Sequence, residues 1–213
     1  NAGAKRNNMG IPSNYIDWLP RVSQIVESVY PFEGNSRMRF ESWLMANDID
    51  LRDYMEEASS WGTYVHKALE DYLDWIPFKG KKYKKFVAWW IKFLKDTWVK
   101  KLFTEHYIST EDYQWTIDLV AEYNWEKWIL DWKTYWLSKH KFWLPIPKYK
   151  KPYDKLKKAK LQLSLYAYAM GIKNIWVIEL TEEGYHFHPL ELVPLDEVKK
   201  ILINFKYNYV DEI

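Results

Sequence analysis

The 213-residue chain contains no cysteine, which excludes disulfides, thiolate-held zinc and Cys-ligated iron–sulfur clusters and agrees with a reducing compartment. Glycine is also scarce: there are 7, where average usage of about 7% would give roughly 15. No run of about 18 uncharged apolar residues occurs, and the N-terminal stretch has no hydrophobic signal core. Neither membrane spanning nor secretion is indicated, so a soluble, cytoplasmic protein is expected. Charge of one sign is lacking too. With 31 basic and 29 acidic side chains the net charge is +2, so any electrostatic signal must come from local clustering.

What is present is apolar and aromatic. Hydrophobic residues make up 48% of the chain, with 14 Trp and 17 Tyr, and this length suits one domain with one sizeable core. The eight residues before Met9 read as either a cloning remnant or a native tail. Helical spacing recurs in "SRMRFESWLMAN", "DLRDYMEEASS" and "GTYVHKALEDYLDWI", the last with Thr63 as a candidate cap. A fourth helix is expected near Lys82 to Val99, where Phe86, Trp89, Trp90, Phe93 and Leu94 share a face. Strands are expected near Leu102 to Ser109, Tyr113 to Tyr123 and Lys127 to Lys133, the last two as a hairpin. Residues 138–160 hold nine lysines against one acid, and their prolines argue against regular structure before about Tyr153. A helix through "LQLSLYAYAM" ending at Gly171, strands "NIWVIEL" and "YHFHPL", and an amphipathic helix "LDEVKKILINFKY" follow. This order predicts an α/β (α+β) fold, a mixed sheet with helices on its faces.

The hairpin carries charges that a core strand should not. If Asn124 and Trp125 form a two-residue turn, Tyr123 pairs with Glu126, and counting outward sets Asp118 opposite Asp131. Opposed residues have Cβ atoms about 5 Å apart. Two carboxylates that close repel unless one is protonated or a cation lies between them, and oxygen ligands suit Mg²⁺ or Mn²⁺. Alternation places Lys133 on the face of Asp131, where it is suited to hold or activate a water. A solvated hairpin face, with Asp131 simply paired to Lys133, explains the same residues equally well. His66 and Glu70, four apart on one helical face, could point at one site. Gln162 and Tyr166 share a face of an otherwise apolar helix, where they could reach a phosphate or a water, though ordinary packing accounts for them as well. His186 and His188 alternate on one strand and read as exposed residues.

In this order, G-T-x-x-H, I-D, D-x-K and Q-x-x-x-Y resemble the motifs of the PD-(D/E)XK nucleases of the RecB-like exonuclease type, over roughly Ser60 to Val177. That superfamily includes lambda-type exonucleases, CRISPR adaptation nucleases and the mitochondrial genome maintenance exonuclease. "RVSQIVES" and "FESWL" look like the lead-in such chains carry. The resemblance implies a restriction-endonuclease-like core in a single domain, with a helical lead-in over 1–59, a catalytic core over 60–180, and a C-terminal strand and helix over 181–213. It implies a Mg²⁺- or Mn²⁺-dependent deoxyribonuclease acting on the ends of single- or double-stranded DNA, in repair, recombination or phage- or CRISPR-related processing. Asp118, Asp131, His66 and the backbone carbonyl of Trp132 would be metal ligands, Lys133 would orient and help deprotonate water, and Gln162 and Tyr166 would position DNA or water. Glu70 and Glu105 lie outside the firm part of the match and read either as supporting acids or, more simply, as solvated surface carboxylates. Lys139, Lys141, Lys148, Lys150, Lys151, Lys157, Lys158 and Lys160, with the run "KGKKYKK" at 79–85, would meet phosphates. A catalytically idle DNA-binding module and a structure-selective endonuclease of the same fold are the alternatives.

Two places depart from the family pattern. Glycine commonly precedes T-I-D and commonly fills the second turn position, but here Trp115 and Trp125 stand there. A tight hairpin turn wants positive φ at both central residues, which a bulky side chain adopts only at a cost. With the glycine shortfall, this raises the hypothesis that UGA codons are read as glycine in the source organism.

Overall fold

The structure is a computed structural model that describes residues 18–31, 35–76, 84–134, 152–181 and 183–210. Its order is α1 (Val22–Val29), α2 (Asn35–Ala46), α3 (Leu51–Leu73), α4 (Lys84–Thr97), β1 (Lys100–Ser109), β2 (Gln114–Tyr123), β3 (Glu126–Thr134), α5 (Pro152–Met170), β4 (Asn174–Leu180), β5 (Tyr185–Leu190) and α6 (Leu195–Val210). The strands form one mixed five-stranded sheet in sequence order. Every neighbouring pair is antiparallel except β3 and β4, which run parallel through the α5 crossover.

Each sheet face is covered by helices. On one, Val22, Ile25 and Val26 of α1 and Leu163, Tyr166 and Ala167 of α5 pack with α6 against Ile117, Val120, Ile129, Ile175 and Val177. On the other, Val65, Ala68 and Leu69 of α3 and Phe86, Trp90 and Phe93 of α4 pack against Leu119, Leu130, Trp132 and Ile178. Apolar residues three and four apart put one stripe of each helix on the sheet. A small separate cluster joins Phe40 and Leu44 of α2 to Ile49 and Tyr54.

The mixed α/β sheet with helical N-terminal region matches the expectation, and three local features differ from it. First, α3 runs unbroken through Gly62 and Thr63, so the two helices expected there are one, and it crosses the boundary set at residue 60. Its cap is Asp50, whose carboxylate accepts from the N–H groups of Arg52 and Asp53 at 2.8 and 3.1 Å. Thr63 lies mid-helix and caps nothing. Second, α1 is not singled out by the sequence as a helix of its own, although it falls in the helical lead-in expected over 1–59. Third, α1 is clasped to the start of β2: the Gln114 side chain donates to the Leu19 carbonyl, its backbone N–H donates to the Pro20 carbonyl, and its Oε1 accepts from the Tyr107 hydroxyl at 2.9 Å.

The hairpin register is as expected, with Tyr123 opposite Glu126, and both turn residues have positive φ, 50° at Asn124 and 66° at Trp125. Among the described residues, no helix is long and apolar enough to cross a membrane.

Candidate functional site

The site lies where the sheet divides. Pairing between β2 and β3 runs from the turn to Leu119 opposite Leu130 and stops there, while β2 stays paired to β1 down to Gln114 and β3 to β4 through Thr134. Asp118 and Asp131 are the next residues on the two parting strands. Alternation also slips at this point. Ile117 and Val120 both face the α5 layer, whereas Leu119 faces the α3 layer, so strict alternation breaks around Asp118 although the β1–β2 register does not shift there. On β1 the ladder passes from Thr104–Leu119 to His106–Ile117, which leaves Glu105, at φ 47°, across from Asp118. A strand whose alternation breaks here can turn a carboxylate out of the ladder.

Asp118 meets α3 through His66, whose Nδ1 is 3.6 Å from Asp118 Oδ2. The imidazole lies edge-on to the buried Trp132 ring at 5.4 Å, which fixes its plane. Asp131 is buried, and its pKa rises to about 6 because burial strips water from the carboxylate; Lys133 opposes that rise, and nearby Asp118 adds to it. Lys133 Nζ forms an ion pair with Asp131 Oδ2 at 2.6 Å. Burial works against the lysine charge, but Asp131 and Asp118 outweigh it, and the pKa ends above the ordinary lysine value. At neutral pH the Lys133 side chain is therefore an ammonium.

The structure brings together four of the expected residues: His66, Asp118, Asp131 and Lys133. Trp132 places its backbone opposite Ile178 of β4 and its indole in the core. Glu70 is drawn instead to Lys67 on its own helix, at 3.2 Å. Tyr166 is buried beneath α5 and accepts a hydrogen bond from Gln162 at 2.9 Å, so that phenol is committed to the core and not to an open surface. Lys157, Lys158 and Lys160 lie on α5, and Lys84 and Lys85 open α4. Lys139, Lys141, Lys148, Lys150 and Lys151 lie outside the described residues, as do residues 79–83. His186 is exposed as expected, but His188 is half-buried, with Nε2 2.9 Å from Glu179 Oε2.

Glu179 is the acid the sequence reading passed over. It sits beside Lys133 in the parallel register of β3 and β4. Its signal was available: an acid one place from the end of the apolar run "NIWVIEL" is the same anomaly that marked Asp118.

Among the described residues, no three or more His, Asp or Glu side chains are arranged to hold a metal ion. The donor set nevertheless suits one. Asp118 lies close enough to the buried Asp131 for their charges to conflict, a conflict that Lys133 relieves in part and that a divalent cation would relieve further.

In comparison with known proteins, the chain matches no protein-family model and no curated protein. Among solved structures, the crystal structure of SSO0001 aligns over 88% of this chain and 84% of that one, with 15% identity and a TM-score of 0.38. A likeness this distant carries no functional argument.

Proposed function

We propose that the protein is a divalent-metal-dependent DNA nuclease acting at DNA ends. The observation that supports this reading best is that Asp118, Asp131, Lys133 and His66, from three elements, meet where the β2–β3 ladder opens. Asp118, Asp131 and His66, with the Trp132 carbonyl, would hold Mg²⁺ or Mn²⁺. Such an ion, when bound, stabilises charge on a phosphoryl oxygen and supplies hydroxide near neutral pH. Lys133, already an ammonium, donates hydrogen bonds and so orients a water or a phosphate oxygen beside Asp131. Lys157, Lys158 and Lys160 add positive charge for phosphates, independent of base sequence.

The test is digestion of end-labelled linear DNA and closed circular DNA with Mg²⁺ or Mn²⁺. Linear DNA is degraded, circular DNA survives, and Asp131→Ala abolishes cutting. Binding without cutting would make the protein an idle module, and loss of the circle would make it an endonuclease.

A further inference from the structure

Six non-glycine residues among those described have positive φ: Asp48, Trp75, Trp98, Glu105, Asn124 and Trp125. Asn and Asp enter this region readily because their short side chains bond to nearby backbone. Three of the remaining four are tryptophan, a bulky residue for which the left-handed region is a genuine outlier.

The places of these three tryptophans are specific. Gly171 ends α5 at φ 64° with its N–H bonded to the Tyr168 carbonyl and the next N–H, of Ile172, bonded back to Ala167. This is the helix ending that glycine serves because it has no Cβ to clash. Trp75 ends α3 at φ 62° with the same pair of bonds, from its own N–H to Tyr72 and from Ile76 to Asp71. Trp98 ends α4 at φ 56° with its N–H bonded to the Leu94 carbonyl, the simpler left-handed helix stop. Trp125 follows Asn124 in a two-residue hairpin turn, where Asn-Gly is the preferred pair.

All three indoles are cast into solvent: Trp75 is 93% exposed, Trp98 88% and Trp125 94%. Tryptophan is on average highly buried. Trp90, Trp132 and Trp176 fit that norm, buried and packed ring against ring with other aromatics. These three positions therefore combine a backbone suited to glycine with a side chain that the fold does not use. Trp115 differs, since it lies in β2, half-buried against the core, and its backbone makes no such demand.

We infer that residues 75, 98 and 125 are glycine in the native protein, encoded by UGA that the source organism reads as glycine, and that tryptophan is what another decoding writes there. The exposed indoles are then no platform for stacking single-stranded DNA, and the native protein carries none of them.

The coding DNA and the purified chain test this together. The codons at 75, 98 and 125 should be UGA and that at 132 UGG, and peptides from the native source should carry glycine at all three positions. The triple variant Trp75→Gly, Trp98→Gly, Trp125→Gly should melt higher than the tryptophan-bearing chain, by about 2–4 °C per site, while its affinity for a single-stranded DNA oligonucleotide is unchanged. UGG at these codons, a triple variant that melts no higher, or a loss of oligonucleotide binding overturns the inference.

Discussion

Asp131→Asn tests the metal reading without depending on turnover. In wild type, the Asp131 carboxyl has a pKa of about 6 because it is buried and near Asp118. At pH 7.5 it is ionised and open to a cation. At pH 5 roughly one molecule in ten is ionised, so a cation must displace a proton and its affinity falls about tenfold. Mn²⁺ at about 100 times its Kd at pH 7.5 stabilises the fold by about 2.7 kcal/mol, which for a chain of this length raises Tm by about 5–11 °C. The same Mn²⁺ at pH 5 is only about 10 times Kd and gives about 1.4 kcal/mol, or about 3–6 °C. Without metal the sign reverses. A carboxyl whose folded pKa lies above its unfolded value contributes stability in full below about pH 4 and loses it as pH rises through 6, so in chelator wild type loses ground to Asp131→Asn over that window. Thermal melts of both proteins, with Mn²⁺ and with chelator at pH 5 and 7.5, provide the assay. An undiminished Mn²⁺ shift in Asp131→Asn, or a larger shift at pH 5 than at 7.5, refutes the reasoning.

Lys133→Met should lower DNA cleavage at least about a hundredfold, as loss of a preorganised donor does, while the Mn²⁺ shift in Tm persists; equal loss of both would tie the lysine to metal binding instead. Tyr113 donates to the Leu165 carbonyl at 2.7 Å, and burial, with the charge of Asp112, pushes its phenol up to about 12. Its contribution is whole below about pH 10 and is lost as pH rises through 12, so Tyr113→Phe should cost about 1 kcal/mol at pH 8 and melt with less alkaline sensitivity than wild type. Replacing Lys157, Lys158 and Lys160 by Gln should flatten the salt dependence of DNA binding, by up to about 3 in the log–log slope on double strands, without changing sequence preference.

The strands and their register were legible because Asn124 and residue 125 suit a two-residue turn, from which Tyr123 pairs with Glu126. That register brought Asp118 beside Asp131, and D-x-K placed Lys133 with it. The continuity of α3 was hidden, since Gly62 and Thr63 look like a break but the Val65–Leu69 stripe packing on β2 and β3 outweighs a single glycine. The burial of Tyr166 was equally hidden, because a tyrosine at helical spacing reads the same whether its hydroxyl meets solvent or Gln162. Glu179 was missed because its closeness to Lys133 depends on a parallel register set by the α5 crossover, which no local pattern encodes.

The Gln114 clasp has a kinetic consequence. Its amide joins the Leu19 carbonyl across 95 positions, at the end of β2 that also pairs with β1. Closing so long a loop is slow relative to local helix formation, so this contact forms later than the local turns of α1. During synthesis α1 must wait, apolar face unburied, for a strand that is made long after it.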